Sequence, residues 1–199
     1  MHQHIDSWKN SSTAFEQQLD RNIQELNGQF PPHWVHFINH VKNNPVHRIV
    51  DVGCGAGVYC HLAEQMGLDY IGYDYSQHAV DLAITTWGGK FVCKNYQGLT
   101  PEDIKTDDLI VANALCDVLP NGHHCLQHLL SLEGQRILIQ RVRITSLPSF
   151  SMQYKAYDIT TYEYYHNTTD LSAVISNYRY NVTYHRLYDE IFDLEIQKW

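Results

Sequence analysis

Three glycines and one aspartate have the types and spacing that best indicate chemistry in this chain. Gly53, Gly55 and Gly57 follow the buried-type run IVDV at 49–52 and precede a helical pattern. Without a Cβ, glycine can take positive φ and lets a ligand press against main-chain N–H groups at a helix start. Asp74 ends the next apolar run, 21 residues after Gly53, where a carboxylate can accept hydrogen bonds from both ribose hydroxyls. The pattern predicts a nucleotide-type binding site.

The glycine spacing separates two classes of cofactor. A dinucleotide fingerprint requires Gly or Ala three positions after the second glycine, and this chain has Val58 there, whereas the shorter GxGxG pattern is complete. An NAD-dependent oxidoreductase is also disfavoured because the chain lacks a recognisable Tyr-x-x-x-Lys pair. NAD is therefore the poorer fit.

From residue 47 onward, helical stretches alternate with five short apolar runs, RIVDVG, YIGYD, FVCKN, DLIVANAL and RILIQRV. This alternation predicts a parallel sheet of five successive strands with helical crossovers. The predicted helices cover about residues 57–67, 76–87, 121–132 and 169–178. Two alternating runs, 180–188 and 191–198, predict strands that complete the sheet. Residues 5–43 predict two helices, because Gly28, Pro31 and Pro32 interrupt the helical pattern.

Two segments within residues 47–143 carry a family resemblance. The string VDVGCGAG at 50–57 resembles the first motif of the class I, Rossmann-like S-adenosylmethionine-dependent methyltransferases, and YIGYDYS at 70–76 resembles their second. The resemblance implies a three-layer α/β/α sandwich with a seven-stranded, mostly parallel sheet whose last strand is antiparallel. Residues 1–45 would form a helical N-terminal cap on a cofactor-binding domain at 46–199, all in one structural domain.

The resemblance implies a set of cofactor-binding residues for S-adenosylmethionine and its product S-adenosylhomocysteine. Asp51 would orient the cofactor's amino group, Asp74 would hold the ribose, and Tyr75 would lie against the adenine. A surface tyrosine at a helix start is the alternative for Tyr75. Asn95-Tyr96 stands where the family often has an acidic residue at the adenine amino group, and an asparagine oxygen can also accept that hydrogen bond. The full set is Asp51, Gly53, Cys54, Gly55, Gly57, Asp74, Tyr75, Asn95, Tyr96 and Asn113.

The end of the fourth predicted strand is where the resemblance places the reacting methyl group. The candidate pocket residues are Asn113, Ala114, Leu115, Cys116 and Asp117. Among them, Asn113 and Asp117 are the catalytic candidates, and Cys116 and Asp117 are candidate substrate contacts. Asp117 could act as a general base, or it could simply cap a turn ahead of Pro120. The segment is not NPPY or DPPY, which argues against methylation of base or glutamine amino groups.

Two further groups are predicted to surround the acceptor. Arg141 and Arg143 alternate along the fifth strand toward one face, where an arginine could clamp a carboxylate or phosphate, or form a surface ion pair. The tyrosine-rich loop predicted at 145–167 contains the segment YKAYDITTYEYYHN at 154–167, which resembles a loop of some bacterial-type methyltransferases. That resemblance implies that the loop helps enclose the acceptor through Tyr154, Tyr157, Tyr162, His166 and Asn167. From the N-terminal helices, Trp8 or Phe15 could shield the sulfonium from water, or pack against the sheet.

The sequence does not predict a metal site. His123, His124 and His128 stand near Cys125, and imidazole and thiolate are good ligands. Adjacent histidines point in different directions on a helix, however, and no carboxylate cluster accompanies them. Solvated helix histidines are the simpler interpretation.

Composition and charge limit the classes of partner that this chain is expected to bind. The formal charge of -8 disfavours a nucleic-acid partner, and the five cysteines lack CxxC spacing, as expected of reduced thiols. No signal-peptide or membrane-helix pattern is visible, so a soluble cytoplasmic protein without a membrane partner is expected. The predicted function is methyl transfer to an oxygen or nitrogen of a small molecule. A protein or nucleic-acid acceptor, or an inactive cofactor-binding partner protein, remains open, as does the oligomeric state.

Overall fold

The computed structural model describes residues 5–199, with side chains from Ser7 onward. Its helices are α1 (Ile5–Lys9), α2 (Ser12–Asn27), α3 (Pro32–Asn43), α4 (Val58–Gln65), α5 (Gln77–Trp87), α6 (Gly122–Ser131) and α7 (Thr168–Asn177). Its strands are β1 (Arg48–Val52), β2 (Asp69–Asp74), β3 (Phe91–Cys93), β4 (Asp108–Asn113), β5 (Arg136–Thr145), β6 (Phe150–Ala156), β7 (Ile159–Asn167), β8 (Tyr180–Tyr188) and β9 (Ile191–Lys198). Two short 3-10 helices, Tyr96–Gly98 and Pro101–Asp103, lie between β3 and β4.

Seven strands form the Rossmann-like sheet that the sequence predicts. Their order is β3-β2-β1-β4-β5-β9-β8, with parallel pairing from β3 to β5. The last strand, β9, runs antiparallel to both β5 and β8. The predicted bounds of β8 and β9 are confirmed, and the predicted helices lie within two residues of the observed ones.

The tyrosine-rich segment is a β-hairpin, so the prediction of a loop there was wrong. Strands β6 and β7 pair antiparallel around Tyr157 and Asp158, which both have positive φ, as in the type I′ turns that suit hairpins. The end of β7 pairs in parallel with the last residues of β5, beyond the point where β4 stops. The sheet therefore has nine strands in the described chain, and the hairpin rises above its carboxyl edge.

Helices cover both faces of the sheet because the strand residues alternate in direction. Ile49 packs with α3 and α4, including Trp34 and Phe37. Its neighbour Val50 packs on the opposite face, with residues of α6 and α7. The structure thus has the expected three layers, and α3 contributes to one of them.

The first two helices lie above the carboxyl edge of the sheet. In α1, the Ser7 hydroxyl donates to the Thr160 carbonyl at 2.9 Å and the Trp8 indole N–H donates to the Thr161 hydroxyl at 2.9 Å. A break capped by Ser11 separates α1 from α2, where the sequence predicted one continuous helix. Among residues 5–199, no helix combines the length and apolar character needed to cross a bilayer.

Candidate cofactor and acceptor site

The turn from β1 into α4 depends on its three glycines for two different reasons. Gly53, Gly55 and Gly57 have φ of 74°, 51° and 79°, in the left-handed region that favours glycine. A Cβ at Gly57 would lie 2.7 Å from the Phe91 ring and 2.8 Å from the Ala83 methyl. Gly57 therefore lets α4 start against α5 and β3, while only Gly53 and Gly55 line the cavity described below.

Asp74 ends β2 with both carboxylate oxygens held by backbone donors. The Gly55 N–H donates to Oδ2 and the Ser76 N–H donates to Oδ1, each at 2.9 Å. Burial raises the pKa of Asp74, partly offset by these backbone donors. Each carboxylate oxygen can accept a second hydrogen bond, so the group can still receive two hydroxyls.

Asp51 lies near the end of β1, two residues before Gly53. The Tyr70 hydroxyl donates to its Oδ2 at 2.8 Å. Burial raises the pKa of Asp51 to about 7; the Tyr70 hydrogen bond opposes this shift and the Asp74 charge adds to it. Asp51 can therefore change protonation state near neutral pH, and a cation beside it would favour the ionised form.

A cavity of about 450 Å³ begins at this turn and runs to the hairpin. Its walls come from the β1 and β2 ends, the β4 end, the β5 bulge, α1, α2 and the β6–β7 hairpin. They are formed by Trp8, Phe15, Gln18, Arg21, Gly53, Gly55, Asp74, Tyr75, Asn113, Ala114, Leu115, Val118, Leu119, Arg141, Tyr154, Ala156 and Tyr157. The cavity brings together ten of the predicted residues, namely Gly53, Gly55, Asp74, Tyr75, Asn113, Ala114, Leu115, Arg141, Tyr154 and Tyr157. Trp8 and Phe15 also lie where shielding residues were expected.

Two cavity residues of α2, Gln18 and Arg21, were missed from the sequence. Gln18 Oε1 accepts the Ala56 N–H at 2.8 Å, over the glycine turn. The Arg21 guanidinium lies 5.6 Å from the centre of the Tyr157 ring. Ile23 of the same helix is exposed, while Gln18 and Arg21 line the cavity. No local sequence signal distinguishes these two from the other polar residues of α2.

A small recess of about 20 Å³ lies beside the cavity, with space for about one water-sized group. Asp51, Cys54, Asn113, His33 and Arg21 line it, together with other residues of α2, α3 and α4. Burial and the charges of Arg141 and Arg21 lower the pKa of His33 to about 2. The recess therefore combines one acid, one guanidinium and a neutral imidazole.

The segment after β4 contributes some, but not all, of the predicted acceptor residues. Asn113 lines the cavity, and its buried Oδ1 has no hydrogen-bond partner in the described chain. Cys116 is instead in the hydrophobic core, 1% exposed, close enough to Cys125 for their thiols to interact. Cys116 is thus separated from the cavity.

Asp117 lies behind the cavity wall. Its carbonyl accepts the Tyr164 N–H at 2.7 Å, and its buried Oδ1 has no hydrogen-bond partner in the described chain. Burial raises the pKa of Asp117 to about 6, while the charges of Arg141 and Arg143 oppose this shift. Because Asp117 does not line the cavity, direct contact with an acceptor would require an intervening water.

The two arginines of β5 have different environments, although their spacing predicted a shared face. Arg141 has φ 60° and sits in a β-bulge where the pairing with β9 shifts register. Its main-chain N–H donates to Asp193 Oδ1 at 2.9 Å, and its side chain lines the cavity without an ion pair to any side chain of residues 7–199. Arg143 donates to Glu163 Oε1 at 2.6 Å and lies over the Tyr165 ring. Arg143 therefore forms the ion pair that was the alternative prediction, and Arg141 alone of the two is placed to contact an acceptor in the cavity.

Aromatic side chains close the cavity from above. Trp8 and Tyr157 meet edge to face at 5.9 Å, and Trp8 and Phe15 lie 5.8 Å apart. Tyr154 is also in the wall. These aromatic side chains belong to the part of the cavity wall that α1, α2 and the hairpin contribute.

Comparison with known proteins identifies the family. Residues 17–143 match a family described as a methyltransferase domain, which covers more than half of the chain. The chain belongs to this methyltransferase-domain family. Its cofactor is S-adenosylmethionine, in agreement with the glycine turn and Asp74.

Solved methyltransferases share the fold. The magnesium protoporphyrin IX methyltransferase of Synechocystis PCC 6803, with bound S-adenosylhomocysteine, is 15% identical with a TM-score of 0.65, covering 84% of this chain and 82% of that chain. A TehB-like methyltransferase of Corynebacterium glutamicum is 15% identical with a TM-score of 0.61, covering 94% and 97%. At these identities the likeness shows the fold.

A curated relative matches over a shorter segment. The ubiquinone biosynthesis O-methyltransferase of Sinorhizobium medicae is 36% identical over 55 residues. This segment spans 28% of this chain and only 22% of the relative's length.

The remaining predicted residues of this methyltransferase lie away from the cavity. Asn95 caps a 3-10 helix by accepting the Gln97 N–H, and Tyr96 packs edge to face with His128. Tyr162 is on β7 outside the cavity wall. Asn167 caps α7, and His166 is fully buried, where burial lowers its pKa to about 3.

The histidines first weighed as metal ligands do not converge. His123 contacts Tyr164 and His166, His128 contacts Tyr96, and His124 is exposed. Cys125 is buried in the core.

Proposed function

We propose that this protein transfers a methyl group from S-adenosylmethionine to an oxygen or nitrogen atom of a small-molecule acceptor. The observation that carries the proposal is one continuous cavity with the Gly53–Asp74 cradle at one end and Asn113, Arg141 and Tyr154 at the other. The hairpin and the first two helices cover this cavity, which favours an acceptor small enough to be enclosed. The acidic charge of -8 also disfavours a nucleic-acid acceptor.

The residues at the cradle fit the cofactor's chemistry. Asp74 would accept both ribose hydroxyls, and Tyr75 in the wall would lie along the adenine. The methionine end is a zwitterion, so it needs a partner of each sign. Asp51 in the recess can hold the ammonium, and Arg21, which lines both the recess and the cavity, can hold the carboxylate. Gly53 and Gly55 let this end approach the backbone.

When bound, the cofactor supplies a methyl group on a positively charged sulfur, which makes the methyl carbon susceptible to in-line attack. The chain's task is to position the acceptor and exclude water, which is where much of the rate of such a reaction arises. Trp8, Phe15 and Tyr157 provide the aromatic cover. Aromatic faces also stabilise a nearby sulfonium.

At the acceptor end, Asn113 would contact the reacting group and Arg141 would bind a polar or acidic group on the acceptor. The acceptor loses a proton as its bond to the methyl forms. Asp117 is the proposed destination of that proton, reached through a water because it lies behind the wall. Burial that raises its pKa to about 6 leaves it mostly ionised at pH 7, as a proton acceptor must be.

The test begins with calorimetric titration by S-adenosylmethionine, S-adenosylhomocysteine and NAD in parallel. Binding of both adenosyl compounds and not NAD is expected. An acceptor screen with radiolabelled methyl cofactor would then compare small hydroxy, amino and carboxy compounds with a protein and RNA mixture. Label in a small product supports the proposal. Label only in macromolecules overturns the small-molecule assignment, and cofactor binding without any transfer supports the inactive partner alternative instead.

A further inference from the structure

A group of histidines and one glutamate lies outside the cofactor cavity, and we call it the His–Glu cluster. It consists of His36 and His40 of α3, His185 of β8 and Glu195 of β9. His36 and His40 are one helical turn apart, so their side chains share a face of α3. Thr183 pairs with Glu195 and His185 pairs with Asp193, which puts the strand members in adjacent rows of one sheet edge.

Three imidazole nitrogens approach the same oxygen. His36 Nε2 and His40 Nδ1 each lie 2.9 Å from Glu195 Oε1, and His185 Nε2 lies 3.4 Å from it. One ligand atom from each of His36, His185 and Glu195 can be chosen so that all three lie within 4.8 Å of one another. Ligand atoms around a tetrahedral zinc ion are about 3.3 Å apart, given zinc–nitrogen bonds near 2.0–2.1 Å. The three side chains are therefore close enough for small rotations to bring their ligand atoms around one such ion.

Hydrogen bonding alone leaves the cluster incompletely satisfied. Only His36 has hydrogen-bond geometry toward Glu195. The buried His40 Nδ1 and Nε2 and His185 Nε2 have no hydrogen-bond partner in the described chain, despite the short distances to the glutamate. This geometry is expected if the ring nitrogens direct their lone pairs at a shared metal ion and do not donate N–H groups to the Glu195 oxygen. An orphaned buried imidazole such as His40, 8% exposed, is otherwise costly.

A buried carboxylate supports the arrangement from behind. The other nitrogen of His36, Nδ1, lies 2.7 Å from Asp193 Oδ2, and Asp193 is fully buried. A carboxylate on the far nitrogen of a ligating histidine fixes its tautomer and raises its basicity, as in many zinc sites. Asp193 also accepts from the Gln140 amide at 2.7 Å and from the Arg141 N–H at 2.9 Å, so its position is well defined.

We propose that His36, His185 and Glu195 form a binding site for a divalent metal ion of the zinc type, with the fourth coordination position left to water. Nitrogen donors with a single carboxylate favour Zn²⁺ over Mg²⁺ or Ca²⁺, which prefer oxygen ligands. The site uses side chains on a helix and two strands, so it is positioned without loop movement. Its members do not line the cofactor cavity. The proposal stands apart from methyl transfer.

Such an ion would join α3 to the β8–β9 edge of the sheet. Through Asp193 it would also steady the bulge that carries Arg141 into the cavity. We therefore expect a mainly structural effect, seen as stability. An ionic network of protonated His36 with Asp193 and Glu195 is the competing explanation.

The test uses the full-length protein, stripped with a chelator and titrated with Zn²⁺ by calorimetry, with Co²⁺ as a spectroscopic probe. The expected result is one ion per chain and a tetrahedral Co²⁺ spectrum. At a free Zn²⁺ concentration about 100 times Kd, the melting temperature should rise by roughly 5–10 °C. Absence of saturable binding by the unaltered protein would overturn the site.

Three variants assign the ligands. His185→Ala and Glu195→Gln should each weaken Zn²⁺ binding by about 100-fold or more, because loss of an outer partner alone commonly costs 10–100-fold. His47→Ala, which removes an exposed histidine outside the cluster, should bind as the unaltered protein does. His185 is 39% exposed, so its removal should leave the chain folded, which circular dichroism in chelator checks. Equal Zn²⁺ affinity in His185→Ala, Glu195→Gln and His47→Ala would overturn the assignment.

Discussion

The two ends of the cavity are built from the chain in contrasting ways. At the cofactor end, Gly53, Gly55 and Asp74 come from one β-α-β unit, so their spacing in sequence fixes their spacing in space. At the acceptor end, Asn113, Arg141 and Tyr154 come from three separate strands, β4, β5 and β6. Local sequence therefore encodes the first end, and tertiary packing assembles the second.

Within the glycine turn itself, some glycines line the cavity and another serves only the packing of the turn. Gly57 belongs to the most recognisable motif of the chain, yet it does not line the cavity. It packs so closely on Phe91 and Ala83 that a Cβ at this position would contact both. A motif can thus combine residues that bind the cofactor with residues that only allow the turn to pack.

Replacing Gly57 should give the largest effect on stability. Gly57→Ala should lower the free energy of unfolding by roughly 2–5 kcal/mol, because it adds overpacking to positive-φ strain. Gly67→Ala is the matched control, with φ 70° and open space around the added methyl. It should lose only about 1–2 kcal/mol. Urea denaturation measures both, and equal losses would show that the contact with Phe91 is unimportant.

Replacing Asp74 tests the cofactor end directly. Asp74→Ala should weaken S-adenosylmethionine binding by roughly 10–150-fold, because a hydrogen bond to a charged group contributes about 1.5–3 kcal/mol. Asp81→Ala, an exposed aspartate of α5, should leave the affinity unchanged. Calorimetric titration measures both. Unchanged affinity in Asp74→Ala would remove the ribose assignment.

The two arginines of β5 provide the corresponding test at the acceptor end. Once an acceptor is found, Arg141→Gln should raise its KM about tenfold or more while cofactor affinity changes little, because only Arg141 lines the cavity. Arg143→Gln should change KM by less than about twofold, since its charge is paired with Glu163. Similar KM values in the two variants would contradict the separation of their roles.

The fold was largely predictable because its signals are local and periodic. Strands β8 and β9 alternate regularly, and the glycine turn follows a run of buried residues. The β6–β7 hairpin was missed because its turn, Tyr157-Asp158, lacks the glycine that usually marks such turns. Side-chain pattern alone could not reveal it.

The acceptor end was less predictable for a physical reason. The bulge at Arg141 is held by Asp193, 52 residues later in the chain, and this contact decides which arginine enters the cavity. Likewise, Gln18 is placed by the Ala56 N–H, on a different element. Such choices depend on three-dimensional partners, and spacing along one strand or helix does not specify them.

A pH titration of cofactor binding should give the smallest effect and sharpen the role of Asp51. Burial raises its pKa to about 7, so binding the cofactor's ammonium requires this carboxyl to lose a proton. Affinity for S-adenosylmethionine should therefore rise about five- to tenfold from pH 6 to pH 7.5. Above about pH 8 it should fall again, as an amino group of this kind itself loses its proton.

Folding of the free protein should show the opposite trend. A carboxyl whose folded pKa is raised binds its proton more tightly in the folded state, so its contribution to stability falls as pH rises from about 4 to about 7. Asp51→Asn should flatten both profiles, in calorimetric titration and in urea denaturation at each pH. If the variant keeps the full rise in affinity between pH 6 and 7.5, another group near the cofactor is titrating and Asp51 does not hold the ammonium.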